Sequence, residues 1–125
     1  MRLDKLTIKS QEALQEAQHL GHIGNWHLDI ASGKLNWSDE IYRIFGFQPR
    51  AFEPSYESFI RAVHPDDVIH IKMSEQQAFL QGSHHSIDHR IILPSGETRW
   101  VHEEAVVSYD QYGQAISMSG TVQDI

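Results

Sequence analysis

The chain has 125 residues, 40% hydrophobic and 22% charged, a composition that suits one globular domain with one core. Its formal net charge of −7, with the basic residues scattered singly, argues against nucleic acid as a partner. The absence of cysteine excludes disulfides, thiolate metal ligands and thiol nucleophiles. Because no apolar run could cross a bilayer and no signal peptide follows Met1, we expect no membrane contact by this segment and a cytoplasmic location.

The first predicted element is a helix over residues 3–20. One narrow stripe at 3–4 spacing consists of Leu3, Leu6, Ser10, Ala13, Ala17 and Leu20. Two interpretations stay open: the helix lies on its own domain, or the stripe forms a dimer or coiled-coil seam. Gly21 and Gly24 end the helix, so we divide the chain into a flanking helix, 1–20, and a domain, 21–125.

Two strands and a helix come next. Residues 23–30 alternate between apolar and polar side chains, and residues 34–37 form a short return strand after a tight turn. Ser38 is the predicted N-cap of a helix that Gly46 ends.

The rest of the chain predicts two helices and then three strands. The helices cover residues 56–63 and 64–81, and the strands cover residues 83–93, 97–109 and 115–124. A sheet must bury its apolar face, and the middle helices are its only available cover. The fold class is therefore α+β, with a five-stranded antiparallel sheet, helices on one face and an N-terminal flanking helix.

The turn at residues 94–96 sets the register of the hairpin around it. A three-residue turn with glycine in the left-handed region places Arg90 opposite Trp100 and Asp88 opposite His102. These pairs belong to the more polar, outer face, where the N-terminal helix could cover Trp100.

The same register puts His89 and Glu103 on the inner face as diagonal neighbours. A buried carboxylate needs partners. The two side chains therefore satisfy each other, lie at the end of the sheet in solvent, or line a cavity and bind a polar ligand or water. The expected surroundings of this pair are Leu28, Ile41, Ile69, Met73, Ile91, Val101, Met118 and Gly120. We expect Gly120 to leave space against the sheet. Such walls are typical of small-molecule sites and also of plain cores.

Nine histidines raise the question of a metal site. His85 and His89 share a strand face, but four residues of strand separate them by ~13 Å, too far to bind one ion. His19 and His22 have helical spacing, yet Gly21 lies between them at a predicted helix end. We predict no metal site.

Six segments in this order resemble the PAS family, in a large bacterial subfamily. They are residues 24–29, 32–40, 41–47, 63–67, 95–101 and 120–125, which read GNWHLD, SGKLNWSDE, IYRIFGF, VHPDD, SGETRWV and GTVQDI. The resemblance covers residues 21–125. It implies a sensory module joined in one chain to an effector domain, such as a histidine kinase or a GGDEF-type diguanylate cyclase, in two-component or related signalling. It also implies a homodimer, paired through the sheet and the N-terminal helix.

The sequence indicates no catalysis by the module itself, since it holds no phosphate-binding glycine loop and no nucleophile elbow. The resemblance adds that the family's two best-known photochemical types need a cysteine, which this chain lacks, although non-covalent flavin stays open. Haem-binding members use a histidine of the long helix, where His70 lies. We expect no cofactor.

Three functional hypotheses follow. The first is a signal-input module with a cavity for a small molecule. The second is a ligand-free interaction module that acts only in homodimerisation. The third, and weakest, is a haem sensor that binds through His70.

Overall fold

The computed structural model describes residues 2–82 and 84–125, with side chains described from Lys9 onward. The elements in chain order are α1 (Arg2–Gly21), β1 (Ile23–Asp29), β2 (Leu35–Trp37), α2 (Asp39–Ile44), α3 (Tyr56–Ala62), a 3-10 turn (Pro65–Asp67), α4 (Val68–Gln81), β3 (His85–Ile92), β4 (Thr98–Tyr109) and β5 (Ala115–Asp124). Each predicted helix and strand is present. The third strand was expected from residue 83, which lies outside the described residues.

The five strands form one antiparallel sheet in the order β2-β1-β5-β4-β3. The last strand in sequence therefore lies at the centre, between β1 and β4. Its alternation was the clearest in the sequence, and Met118 and Val122 are 1% and 2% exposed on the inner face, as predicted. Ile116, which the pattern put on the same face, is 46% exposed near the irregular end of the β4–β5 ladder. The predicted fold class is confirmed.

Helices α2, α3 and α4 cover the inner face of the sheet. The main core joins helix residues to strand residues and consists of Ile41, Ile44, Phe45, Phe59, Val63, Ile71, Ile91, Leu93, Val101 and Val122. A smaller cluster of Ala78, Ala105 and Met118 continues it under the far end of α4. Burial of these apolar surfaces is the main force that holds the helices on the sheet.

The hairpin register agrees with the prediction at both tested pairs. Arg90 pairs with Trp100, and its guanidinium carbon lies 5.3 Å from the ring centroid. Asp88 pairs with His102, and Asp88 Oδ1 lies 2.6 Å from His102 Nδ1. The three-residue turn therefore fixed which residues face each other across β3 and β4.

Asp67 joins the start of α4 to strand β3. Its carboxylate accepts hydrogen bonds from the backbone N–H of Arg90 at 2.8 Å and from Nε and Nη2 of the same arginine at 3.0 and 2.7 Å. This bidentate contact fixes how α4 is rotated about its own axis. Gly82, with φ of 64°, ends the helix in the left-handed conformation that glycine favours.

Among the residues from Lys9 onward, helix α1 contacts the domain through its last turns. Gln18 Nε2 donates to Asn25 Oδ1 at 2.6 Å, and His19 Nδ1 lies 2.9 Å from Glu40 Oε1. Every described side chain from 9 to 20 is exposed except Gln18. Packing on its own domain is therefore seen only near Gln18 and His19, and the choice between the two interpretations of the stripe stays a prediction. The stripe positions Leu3 and Leu6 lie outside the residues whose side chains are described.

Trp100, which the N-terminal helix could have covered, is 49% exposed on the outer face of the sheet, the face that the sequence predicted. The contacts of α1 are with β1 and α2 instead. Among the described residues, no helix is both long and apolar enough to cross a membrane.

Candidate functional site

A cavity of about 30 Å³ lies between the inner face of the sheet and helices α2, α3 and α4. That volume holds about one or two water molecules and is far below the ~300–1,000 Å³ of metabolite pockets. Most of its wall is apolar and aromatic, and the lining residues are Trp26, Leu28, Leu35, Trp37, Ile41, Phe45, Tyr56, Phe59, Glu75, Glu103, Met118 and Val122.

Of the ten predicted site residues, four line this cavity. They are Leu28, Ile41, Glu103 and Met118. Three more, His89, Ile91 and Val101, are buried in the adjoining core with exposures of 0%. The remaining three, Ile69, Met73 and Gly120, are placed differently from the prediction.

Ile69 and Met73 were expected on the inner face of the long helix, and this placement is wrong. They are 63% and 57% exposed, whereas Ile71 and Ala78 are 0% and 1% exposed. The helix carries apolar residues on both sides, so its sequence left its rotation undecided. In the structure Asp67 holds the start of the helix against Arg90, Ile71 and Ala78 are buried, and Ile69 and Met73 face solvent.

Gly120 was expected to leave space against the sheet, and the structure corrects this too. A Cβ added at Gly120 would collide with the backbone carbonyl of Glu104 on the neighbouring strand. The room above this glycine is therefore filled by the main chain of β4, which approaches β5 closely here. Gly120 serves strand packing and does not line the cavity.

Glu103 takes a different partner from the one predicted. Its Oε2 lies 2.7 Å from Nε2 of His85, and His85 Nδ1 lies 2.6 Å from Ser74 Oγ. His85 and Glu103 are 1% and 3% exposed. Ser74, His85 and Glu103 therefore form one continuous hydrogen-bonded chain from α4 to β4, in which each side chain has a partner.

His89, the predicted partner of Glu103, is buried without that contact. Its Nε2 has no hydrogen-bond partner among the described residues, and its Nδ1 lies 3.4 Å from the carbonyl of Arg90. The ring packs edge-on against Phe59 with centroids 6.0 Å apart. His89 therefore behaves as a core residue, and the direct pairing of His89 with Glu103 is wrong.

Glu75 and Tyr56 face the cavity and were missed in the sequence. The Tyr56 hydroxyl donates to Glu75 Oε1 at 2.7 Å. Burial raises the pKa of the Glu75 carboxyl, and the nearby Glu103 carboxylate raises it further, while Tyr56 opposes them. Burial and the bond to Glu75 raise the pKa of the Tyr56 phenol. Glu75 follows Ile71 by four residues, the spacing that would have identified it had the inner face been known.

Trp26 also contributes to the cavity wall. Its Nε1–H is buried and has no hydrogen-bond acceptor among the described residues. Buried polar groups are nearly always partnered by protein or ordered water, so this unpaired nitrogen is an exception that costs free energy.

The residues do not fit haem. His70 is exposed on α4, on the side turned away from the sheet. His64 is engaged at the start of the 3-10 turn, where its Nδ1 accepts from the backbone N–H of Asp66 at 3.1 Å. Neither ring reaches the cavity, whose volume is also far smaller than a porphyrin. Within residues 2–82 and 84–125, no three acidic or histidine side chains converge in a way that could hold a metal ion.

Comparisons with known proteins agree on one family. A family model described as PAS fold matches residues 34–122. The blue-light-activated histidine kinase of Brucella ovis is 32% identical over 120 residues, 95% of this chain, and that of Brucella anthropi is 30% identical over 118 residues. The chain spans about a quarter of the length of these kinases, 23% in both cases.

Solved structures show the same fold. A sensory box histidine kinase/response regulator from Burkholderia thailandensis superposes with a TM-score of 0.77 at 19% identity, covering 90% of this chain and 83% of that one. The N-terminal domain of a diguanylate cyclase with a PAS/PAC sensor from Marinobacter aquaeolei gives 0.73 at 18% identity, covering 82% and 94%. The family match over residues 34–122 and the shared five-stranded sheet lead to one conclusion: this chain belongs to the PAS-fold family.

Proposed function

We propose that this domain is the signal-input module of a larger cytoplasmic signalling protein and that its inner-face cavity responds to a small molecule. The module itself carries out no catalysis in this proposal. Its output is made by an effector domain in the same chain, a histidine kinase or a diguanylate cyclase. The division into a relay helix, 1–20, and a sensory domain, 21–125, is part of the proposal.

One observation supports this function above the others: polar groups line an apolar cavity. Glu103 is 3% exposed and Glu75 lines the same cavity, and in the part of the chain that the structure describes the Trp26 indole N–H has no acceptor. Keeping such groups buried costs free energy unless they are partnered. A ligand that binds these groups can change the conformation of the domain only if its affinities for two conformations differ. Because the cavity is small, the conformation that binds the ligand must be more open.

The test is to determine whether the purified protein contains a bound small molecule. Mass spectrometry of a denatured sample detects a co-purified small molecule, and a melting screen against a metabolite panel detects one that was lost. A bound molecule or a reproducible rise in melting temperature supports sensing. An empty protein with no melting shift across the panel would overturn it.

A second candidate is a ligand-free homodimerisation module. The exposed faces favour it: Leu20 is 72% exposed on α1, and Trp100 and Val106 are 49% and 48% exposed on the outer sheet face. These surfaces are apolar enough to pair with a second copy.

Sedimentation analysis of the whole chain tests this candidate. If α1 forms the seam, Ala17→Glu combined with Leu20→Glu yields monomers, while the control Glu16→Gln stays dimeric. If the dimer persists in the double variant but is lost in Trp100→Arg, the interface lies on the outer face of the sheet. A monomeric unsubstituted chain at high micromolar concentration would end this candidate.

A further inference from the structure

Helix α4 carries a second apolar stripe, which faces away from the sheet. Ile69, Met73 and Leu80 are 63%, 57% and 77% exposed, and the exposed Gln76 lies between the last two. Their spacings of four, three and four residues put these positions on one side of the helix, opposite the residues that are buried on the sheet. The helix therefore has two apolar sides, and only one of them contacts the sheet.

Helix α1 carries an exposed stripe with the same alternation of spacings. Its described positions, all with exposed side chains, are Ser10, Ala13, Ala17 and Leu20. Residues that recur at alternating spacings of three and four form the a and d positions of a coiled-coil seam. The chain thus presents two such seams, over residues 10–20 and 69–80, and each is roughly 16 Å long at the rise of an α-helix.

The two seams match each other when the helices run antiparallel. One register forms three layers of facing residues, namely Ala13 with Met73, Ala17 with Ile69 and Ser10 with Gln76. The small residues of α1 thus face the large residues of α4, an alternation that lets two helices interdigitate. The polar residue of one seam faces the polar residue of the other, and a polar layer of this kind fixes the register of a helix pair.

The charges beside the seams favour the same antiparallel register. It brings Glu16 next to Lys72, at the flanking positions where coiled coils form ion pairs between helices. Within the described residues of a single chain, neither side chain forms an ion pair. Parallel packing of the two seams places no acid beside Lys72, because the flanking positions of α1 that then face it are Thr7, Leu14 and Gly21.

The two seams do not meet within one chain. The last turns of α1 are held at β1 and α2, where Gln18 bonds to Asn25 and His19 to Glu40, and the described seam residues of both helices stay exposed. A second copy supplies the missing partner for each seam. In a dimer with twofold symmetry, α1 of each copy lies on α4 of the other, so the contact forms twice.

We infer that the outward face of α4 is the docking site for helix α1 of a second copy of this chain. The inference rests on the homodimerisation candidate described above and deepens it, since it names the surface that α1 contacts. The outer face of the sheet stays open in this dimer. Because α4 also contributes Glu75 to the wall of the cavity, the contact joins the cavity of one copy to the flanking helix of the other.

Disulfide cross-linking tests this contact directly, because the natural chain has no cysteine. Ala13→Cys chains are equilibrated with Met73→Cys chains, oxidised mildly and separated on a non-reducing gel. We expect a disulfide-linked dimer in the mixture, since residues of one layer lie within disulfide reach. Gln81→Cys, which is exposed on α4 but outside the stripe, replaces Met73→Cys in the matched control and should give no such dimer.

Each cysteine variant is also oxidised alone. A linked dimer from Ala13→Cys alone would show that α1 pairs with α1, and one from Met73→Cys alone would show that α4 pairs with α4. Either result, or a mixture that stays unlinked, would overturn the inference.

Sedimentation analysis measures how much the stripe on α4 contributes. Met73→Glu buries a charge in the seam and should raise the dimer Kd at least about tenfold. Its circular dichroism should not change, because Met73 is exposed in the single chain. Gln81→Glu adds the same charge to the same helix outside the stripe and should leave the dimer Kd unchanged.

Charge reversal tests the antiparallel register. Glu16→Lys and Lys72→Glu should each raise the dimer Kd by about threefold, the effect of losing an exposed ion pair. The two substitutions combined in one chain restore the pair with its charges exchanged, so the Kd should return to that of the unsubstituted protein. A double variant that dimerises more weakly than either single variant would refute this register.

The outcomes separate this inference from the candidate function on which it rests. A dimer that Met73→Glu leaves unchanged would overturn the docking of α1 on α4, while homodimerisation through another surface stands. An unsubstituted chain that is monomeric at high micromolar concentration would overturn both.

Discussion

His85 Nε2 lies 2.7 Å from Glu103 Oε2 across two strands, with both side chains almost fully buried. The diagonal contact joins the start of β3 to the middle of β4, and Ser74 ties it to α4. A buried pair of this kind is costly to break from one side, because the remaining charge is left without a partner.

Substitution of His85 should therefore destabilise the domain strongly. We expect His85→Ala to lower the free energy of unfolding by about 3–5 kcal/mol, because it strands the Glu103 carboxylate. Glu103→Gln, which keeps an acceptor oxygen for the imidazole N–H, should cost about 1 kcal/mol. Urea denaturation measures both. The control is His84→Ala at an exposed neighbour, and a loss below 1 kcal/mol for His85→Ala would contradict the role assigned here.

Low pH should weaken the ion pair of Asp67 with Arg90, which joins the start of α4 to β3. The Arg90 guanidinium holds the pKa of Asp67 at about 2, below its ordinary value of 3.8. Because the folded pKa is depressed, the contribution to stability is complete above about pH 4 and is lost as the pH falls toward 2. Its size is about 2 kcal/mol at neutral pH, the shift converted at 1.36 kcal/mol per unit.

Asp67→Asn should thus cost about 2 kcal/mol at pH 7 and much less at pH 2, where the carboxyl is about half protonated, as read from urea denaturation at each pH. The neighbouring Asp66, whose side chain is 76% exposed, provides the matched control in Asp66→Asn. A pH-independent loss for the Asp67 variant would refute the electrostatic account.

Gly120→Ala should be among the most damaging substitutions of a single methyl group. The added Cβ meets the Glu104 carbonyl, so β4 and β5 must separate at the centre of the sheet. We expect a loss of about 3 kcal/mol, as for severe overpacking. Gly21→Ala, where the nearest side chain is 3.4 Å from the added Cβ, should be near neutral. Equal melting temperatures for the two variants would disprove the close approach.

His102 should titrate above the ordinary histidine value. The hydrogen bond to Asp88 raises its pKa most, and Glu104 adds to the effect against a smaller opposing cost of burial. Because the folded pKa is raised, the pairing stabilises the fold at low pH and is lost as the pH rises through the folded value. An NMR titration should show the His102 pKa falling in Asp88→Asn, and an unchanged value would contradict the pairing.

The sequence predicted the hairpin well because turn length is a local property. Three residues between the strands allow one register, and that register places Arg90 opposite Trp100 and Asp88 opposite His102. The inner and outer faces follow from the alternation of side chains along each strand. The sheet and its polar pairs could thus be predicted without knowledge of distant contacts.

The site could be predicted only in part, because two choices depend on tertiary structure. Glu103 lies opposite Ile87, so His85 and His89 are equivalent diagonal neighbours in sequence terms. In the structure His85 is the partner of Glu103, and a hydrogen bond with Ser74 holds its ring. Ser74 belongs to α4, and the sequence did not determine how that helix is rotated. Because the rotation of α4 was unknown, Ile69 and Met73 were wrongly predicted on the inner face and Glu75 was missed.

Helix α1 has the mechanical character of a lever. It is 20 residues long, which corresponds to about 30 Å, and its described contacts with the domain are confined to the end nearest Glu40. A tilt of about 10° at that end displaces the opposite end by roughly 5 Å, by the geometry of a rod of this length. The anchored end is held by the buried Glu40 carboxylate, which His19 and Arg43 share, and by the bond from Gln18 to Asn25, so a small change at these contacts is amplified at the far end of the helix.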